Sequence, residues 1–175
     1  MIVVGFLTPG RDGQLALEVG RRAAATGARV EIVGVAAPDS TGDARLLELA
    51  TAGVGHATVI RSAADGLEAA DLDLALHYLP DIRAIVLVEP DPSLLAPAAA
   101  ESGWSGAGLV IVSTRATELD TGAAPRAIVL EPPPSDPDQT FAGLLAALAV
   151  RLDLGDDPAT AWQSTSTALA LDPVR

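Results

Sequence analysis

The chain has 175 residues, with 23 acidic against 11 basic side chains, a formal net charge of -12 and a sequence pI near 4.3. That balance argues against nucleic acid and anionic membrane as partners, since both require a basic footprint. The sequence holds no Cys, Lys or Asn, which excludes thiol catalysis, Schiff-base chemistry, a P-loop lysine and thiolate metal sites. Hydrophobic residues make up 49% of the chain at a mean hydropathy of +0.35, but Gly, Pro and charge break them into runs too short to span a membrane. The length suits one domain over residues 1–175.

IVVGFL at residues 2–7, an apolar run ended by Thr8-Pro9-Gly10, predicts a buried parallel strand. An opening without a basic leader or small-residue cleavage site reads as a first strand rather than a signal peptide, and predicts a cytoplasmic protein. Gly5, Gly10 and Gly13 do not match the G-x-G-x-x-G spacing and are read as turn glycines. A helix is predicted over Leu15 to Thr26, with Leu15, Val19 and Ala23 inward and Gly27 as its stop, followed by a strand from Arg29 to Val35. Ser40 or Thr41 then caps a helix carrying Leu46, Leu47 and Leu49, which Gly53 ends. A short strand, Ala57 to Ile60, comes next. His56 precedes it at a turn, and with only His77 as a companion a histidine metal site is not expected.

Asp65, Glu68, Asp71 and Asp73 lack the spacing of a calcium loop and read as a solvated face. A helix from Asp71 to Leu79 ends at Pro80. Arg83 to Val88 is the next buried strand, and Glu89-Pro90-Asp91-Pro92 stands at its carboxyl end, where open α/β sheets bind ligands. Beyond it come a short helix (Leu94 to Glu101), a turn (Trp104-Ser105-Gly106), a strand (Gly108 to Ser113), a loop (Thr114 to Pro125) and a strand ending at Leu130. After Asp156-Asp157-Pro158 a last helix is expected, running through Trp162 to about Leu171. The alternation argues for an α/β fold, a three-layer, Rossmann-like α-β-α arrangement around a mostly parallel sheet.

The segment from Pro132 to Gly143, PPPSDPDQTFAG, joins that last strand to the strongest helical pattern, in which Phe141, Leu144, Leu145, Leu148, Ala149 and Leu152 form an apolar stripe. A strand feeding a helix N-terminus is a ready anion site, because free N–H groups and the positive end of the helix dipole point there. The residues themselves predict a self-capped start: Asp136 as N-cap, Pro137 as first helical residue and Gln139 as the partner in a capping box.

Asp138-Gln139-Thr140-Phe141-Ala142-Gly143 before an Ala/Leu-rich helix resembles the C-terminal signature of the ribokinase-like (PfkB) carbohydrate and nucleoside kinases, in a shortened and degenerate form. Gly27-Ala28-Arg29-Val30, Asp39-Ser40-Thr41-Gly42, Leu46-Leu47 and Gly53-Val54 are similar to scaffold motifs of the same family. The resemblance implies a ribokinase-like fold. It also implies a glycine-rich anion hole and a catalytic Asp, working with ATP and Mg, at positions that fall here on Asp136, Pro137, Asp138 and Gln139. An amide is no general base, carboxylates repel a phosphate and proline removes a donor. The family's lid has no room where Gly10-Arg11-Asp12-Gly13 joins strand to helix, and its Asn-x-x-Glu element is missing from a chain without Asn.

The expectation is therefore a catalytically silent, lidless relative of the sugar kinases acting as a binding or assembly module, without catalytic residues, metal or cofactor, and forming a homo-oligomer or binding a protein. Candidate ligand-binding residues are Asp136, Asp138, Gln139 and Thr140, with Glu89, Asp91 and Thr114 at the neighbouring strand ends. One alternative is a small carbohydrate or nucleoside kinase, or a phosphate-handling enzyme, in which Asp136 or Asp138 replaces the lost base and ATP and Mg are used. Another is a small-molecule sensor built on Glu89, Asp91 and Thr114.

Overall fold

The computed structural model of the chain describes residues 1–7, 11–63, 66–118, 122 and 124–170. Strand and helix alternate through β1 (Ile2–Leu7), α1 (Arg11–Ala25), β2 (Val30–Ala36), α2 (Ser40–Thr51), β3 (Gly55–Arg61) and α3 (Ala69–Tyr78). The second half continues with β4 (Ala84–Val88), α4 (Leu95–Ser105), β5 (Gly108–Val112), β6 (Ile128–Leu130), α5 (Thr140–Asp153) and α6 (Pro158–Ala170). The strands form one sheet in the order β3-β2-β1-β4-β5-β6, and every neighbouring pair runs parallel.

Because successive side chains of a strand point to opposite faces, β1, β2, β4 and β5 each feed two cores. Ile2, Val4, Val30, Ile32, Val86 and Val88 pack beneath α1, α2 and α5. Val3, Val33, Ile85, Leu87 and Ile111 face the other way, against α3 and α4. Burial on both faces is why these strands read as unbroken apolar runs rather than alternating ones. On α5 the stripe Ala142, Leu145, Ala146, Leu148, Ala149 and Leu152 is buried throughout, and its small residues let the helix lie close against Ala16 and Ala23 of α1.

Strand order reverses between β1 and β4. The first half winds outward to β3 and the second half outward to β6, so the chain diverges at the carboxyl ends of β1 and β4. That divergence opens the crevice in which doubly wound sheets hold their ligands.

Several boundaries differ from their sequence patterns. α1 starts at Arg11 rather than Leu15, which puts Gly13 in its first turn, while Gly5 lies inside β1; neither is a turn glycine, and Gly10 lies outside the described residues. α2 is capped by Asp39, whose Oδ1 accepts from the amides of Thr41 (2.9 Å) and Gly42 (3.0 Å), so the capping oxygen comes from one residue earlier than Ser40. β3 takes in His56, whose ring Nδ1 lies 3.2 Å from the Val54 carbonyl oxygen. Glu68 and Asp71 form a reciprocal capping box at the start of α3, a local reason for two of the four clustered carboxylates; Asp73 is exposed, and Asp65 lies outside the described residues. Trp104 and Ser105 belong to α4 rather than to a turn, and Gly106, at φ 73°, supplies the left-handed residue that ends the helix. α6 follows its sequence pattern, running from Pro158 through Trp162, with Asp157 accepting from the amides of Ala159 and Thr160 and leaving Pro at the first helical position. Among the described residues, no helix is long and apolar enough to cross a membrane.

Candidate functional site

The turn before α5 is built differently from its local sequence expectation. The helix begins at Thr140, not at Pro137, and its N-cap is Gln139, held in the left-handed region at φ 54°, ψ 30°. Asp136 and Gln139 are joined by a tight turn in which the Gln139 amide donates to the Asp136 carbonyl at 3.1 Å. The turn folds the Asp136 side chain back over the helix end. Its Oδ1 accepts from the Phe141 amide and its Oδ2 from the Ala142 amide, both at 3.1 Å. Asp136 thus caps α5 from outside the helix, with both carboxylate oxygens on amides that would otherwise face a bound anion.

Gln139 is held by a neighbour that its own segment does not announce. Arg22 of α1 donates from Nη2 to Gln139 Oε1 at 2.9 Å and from Nε to Glu18 Oε1 at 2.6 Å. Arg21 donates to the other Glu18 oxygen at 3.0 Å. Glu18 is only 4% exposed, and burial of a carboxylate requires such compensation. An acid followed by Arg at i+3 and i+4 reads in sequence as a solvated helical pair, so Glu18 and Arg22 carried no sign of their place in the site.

At the end of β4, Glu89 also takes a left-handed backbone, at φ 47°. Its amide donates to the Val112 carbonyl at 2.8 Å, which turns the side chain toward the neighbouring strand. There its carboxylate accepts from the Thr114 amide (2.6 Å), the Thr114 hydroxyl (3.3 Å) and the Ser113 hydroxyl (3.2 Å). The ends of β4 and β5 are tied together by this one side chain.

These pieces enclose a cavity of about 230 Å³ whose polar lining includes Gln14, Glu18, Glu89, Thr114, Asp136 and Gln139. Pro132, Pro133, Leu15 and Phe141 supply apolar walls. Four residues singled out from the sequence at three separate strand ends, Glu89, Thr114, Asp136 and Gln139, therefore share one recess. Asp138, Thr140 and Asp91 do not line it. Asp138 and Thr140 are exposed beside the helix start. Asp91 caps the 3-10 turn Pro92–Leu94 by accepting from the Ser93 amide at 2.9 Å. Hydrogen bonds from the Ser93 amide and hydroxyl, with Arg115 nearby, hold its carboxyl below the usual carboxylate range.

The cavity is rich in hydrogen-bond acceptors, and each carboxylate already has donors of its own. Near a protein surface, two unit charges of like sign about 4 Å apart repel by roughly 4 kcal/mol, so a phosphate meets opposition here from Asp136, Glu89 and Glu18. Among the described residues, no group of three or more His, Cys, Asp or Glu side chains is placed to hold a metal ion.

No protein-family model and no curated protein matches the sequence. Solved structures do. Over 99% of this chain and 93% of the other, the protein Sa239 superposes with a TM-score of 0.63 at 13% identity. A protein assigned as ribokinase II from E. coli, in complex with ATP and Mg2+, gives 0.58 at 12% identity over 99% and 92% of the two chains. One assigned as a ribokinase from Agrobacterium tumefaciens gives 0.57 at 13% identity over 97% and 86%. The fold of the chain is ribokinase-like, as the scaffold motifs implied.

Proposed function

We propose that this chain is a catalytically silent, lidless protein on the ribokinase-like fold, acting as a binding or assembly module. The observation that carries the reading is the Asp136 carboxylate on the Phe141 and Ala142 amides, since phosphoryl transfer needs helix-end donors left free for the moving charge. The position where the resemblance expects a base is Gln139, whose side-chain oxygen accepts from Arg22 and which has no proton-accepting chemistry near neutral pH. β1 ends at Leu7 and α1 begins at Arg11, a connection too short for a lid. The acceptor-rich cavity of about 230 Å³ suits a small, uncharged ligand with several hydroxyl or amide N–H donors, which supports a sensor built on Glu89 and Thr114.

Binding of ATP and Mg2+ by the E. coli neighbour sets the kinase alternative and its test. Calorimetric titration of the chain with ATP and Mg2+ is expected to give no heat of binding, and a sugar panel no ADP. Saturable nucleotide binding with sugar-dependent ADP release would refute the reading, and Asp136→Ala and Asp138→Ala should then abolish turnover. Without such turnover, Asp136→Ala is expected to cost about 1 kcal/mol, the usual worth of a helix N-cap. Melting curves with added phosphate provide a second readout: the variant should gain stability because its α5 amides are vacant, whereas the parent should not. Equal phosphate protection of both proteins would count against a filled anion position.

A further inference from the structure

A second recess, of about 950 Å³, lies at the opposite end of the sheet, around the amino ends of β4, β5 and β6 and the carboxyl ends of α3, α4 and α5. One exposed large apolar side chain lines it, Trp104, which is 89% exposed. An indole left almost wholly in water is unusual for a monomer, and aromatic anchors of this kind are what protein interfaces bury.

Both signs of charge line this recess. Arg83 and Arg126 line it, and neither guanidinium has a hydrogen-bond or ion-pair partner among the described residues. Asp81 and Glu101 line it with carboxylates in the same condition. Its other two carboxylates are already engaged, Asp156 by Arg151 at 2.7 Å and Asp157 by the amides of Ala159 and Thr160. Among the described residues, two free cations and two free anions therefore line one recess of a molecule whose formal charge is -12. Elsewhere two copies of so acidic a chain repel. A twofold contact presents the same patch from both sides, so it requires both signs of charge within that patch.

We infer that this recess is where two copies of the chain pair, with Trp104 of each buried against the other and the free arginines of one copy meeting the free carboxylates of its partner. The ligand cavity at the carboxyl ends of the strands stays open in such a pair, so the inference stands apart from the function proposed above.

Light scattering of the full chain over a range of concentrations is expected to show a monomer–dimer equilibrium. Trp104→Asp should shift it to monomer with an unchanged circular dichroism spectrum, because an exposed side chain carries no core packing. Arg83→Glu with Arg126→Glu makes the patch wholly acidic, and Asp81→Asn with Glu101→Arg makes it basic; Asn accommodates the φ of 59° at position 81. Each double variant alone should be monomeric, and an equal mixture should form a dimer containing one of each. A parent chain that stays monomeric at every concentration, a dimer that survives Trp104→Asp, or a mixture that stays monomeric overturns the inference.

Discussion

Leu145→Ala is expected to lower stability by about 2–5 kcal/mol, which for a domain of this size moves the thermal midpoint by roughly 4–20 °C. Leu145 is fully buried in the core between α5 and the sheet. Its neighbours on the stripe are Ala142, Ala146, Leu148 and Ala149, with Ala16 and Ala23 of α1 in the same cluster. Alanines have no side-chain torsion with which to fill a void, so the alanine side of the space left by the truncated leucine cannot close by rotamer change. Leu144, next in sequence but only half-buried, is the control; Leu144→Ala should cost about 1 kcal/mol because little apolar area is removed from cover. Denaturant titration at constant slope measures both. Similar losses at the two positions would contradict the orientation of α5. Since α5 also carries the amides that Asp136 caps, a loosened Leu145 seat should weaken the cavity along with the fold.

Gly42→Ala is the second substitution with a large expected effect, although α2 lies far from the cavity in sequence. A Cβ at position 42 would sit 1.9 Å from the carbonyl oxygen of Ala37 and 2.9 Å from its carbonyl carbon. Both obstacles are backbone, so no rotamer change removes them. The Ala37–Asp39 turn has to move, and the Asp39 cap on the Gly42 amide moves with it. Overpacking and the lost cap together should cost about 2–4 kcal/mol, outweighing the helix propensity that alanine normally adds. Gly55→Ala is the milder case: its Cβ would meet Glu31 Oε2, also at 1.9 Å, but a flexible carboxylate can swing aside, and the nearest backbone atom, the Val30 carbonyl oxygen, is 3.2 Å away. Thermal melts should therefore rank Gly42→Ala well below Gly55→Ala. The reverse order would remove the close approach at Ala37 as the reason for glycine in the Asp39-Ser40-Thr41-Gly42 motif.

Much of the scaffold could be read from residue order because buried parallel strands and a 3.6-residue apolar stripe are local signals. IVVGFL became β1, and the Phe141-to-Leu152 pattern became α5. Strand order is not a local property, and the site depends on it. Glu89 and Thr114 meet Asp136 and Gln139 because β4, β5 and β6 are neighbours and α5 crosses back over them, an arrangement that no spacing along the chain encodes. The start of α5 went astray for a different reason. Asp-Pro at 136–137 carries a strong signal for a cap and first helical residue, yet the chain makes a turn there first, and Asp136 reaches the Phe141 and Ala142 amides across it. The capping residue was legible; the geometry through which it caps was not. Glu18 stayed hidden because burial of its helical face is decided by α5 packing on α1.

The aspartate folded over the head of α5 can also be viewed as a competitor fastened to its own receptor. A group on a short covalent tether acts at an effective concentration of at least millimolar order, independent of dilution. Any free anion approaching the Phe141 and Ala142 amides must therefore outbid a rival that never diffuses away. A nucleotide phosphate would have to displace that carboxylate before it could reach the two amides.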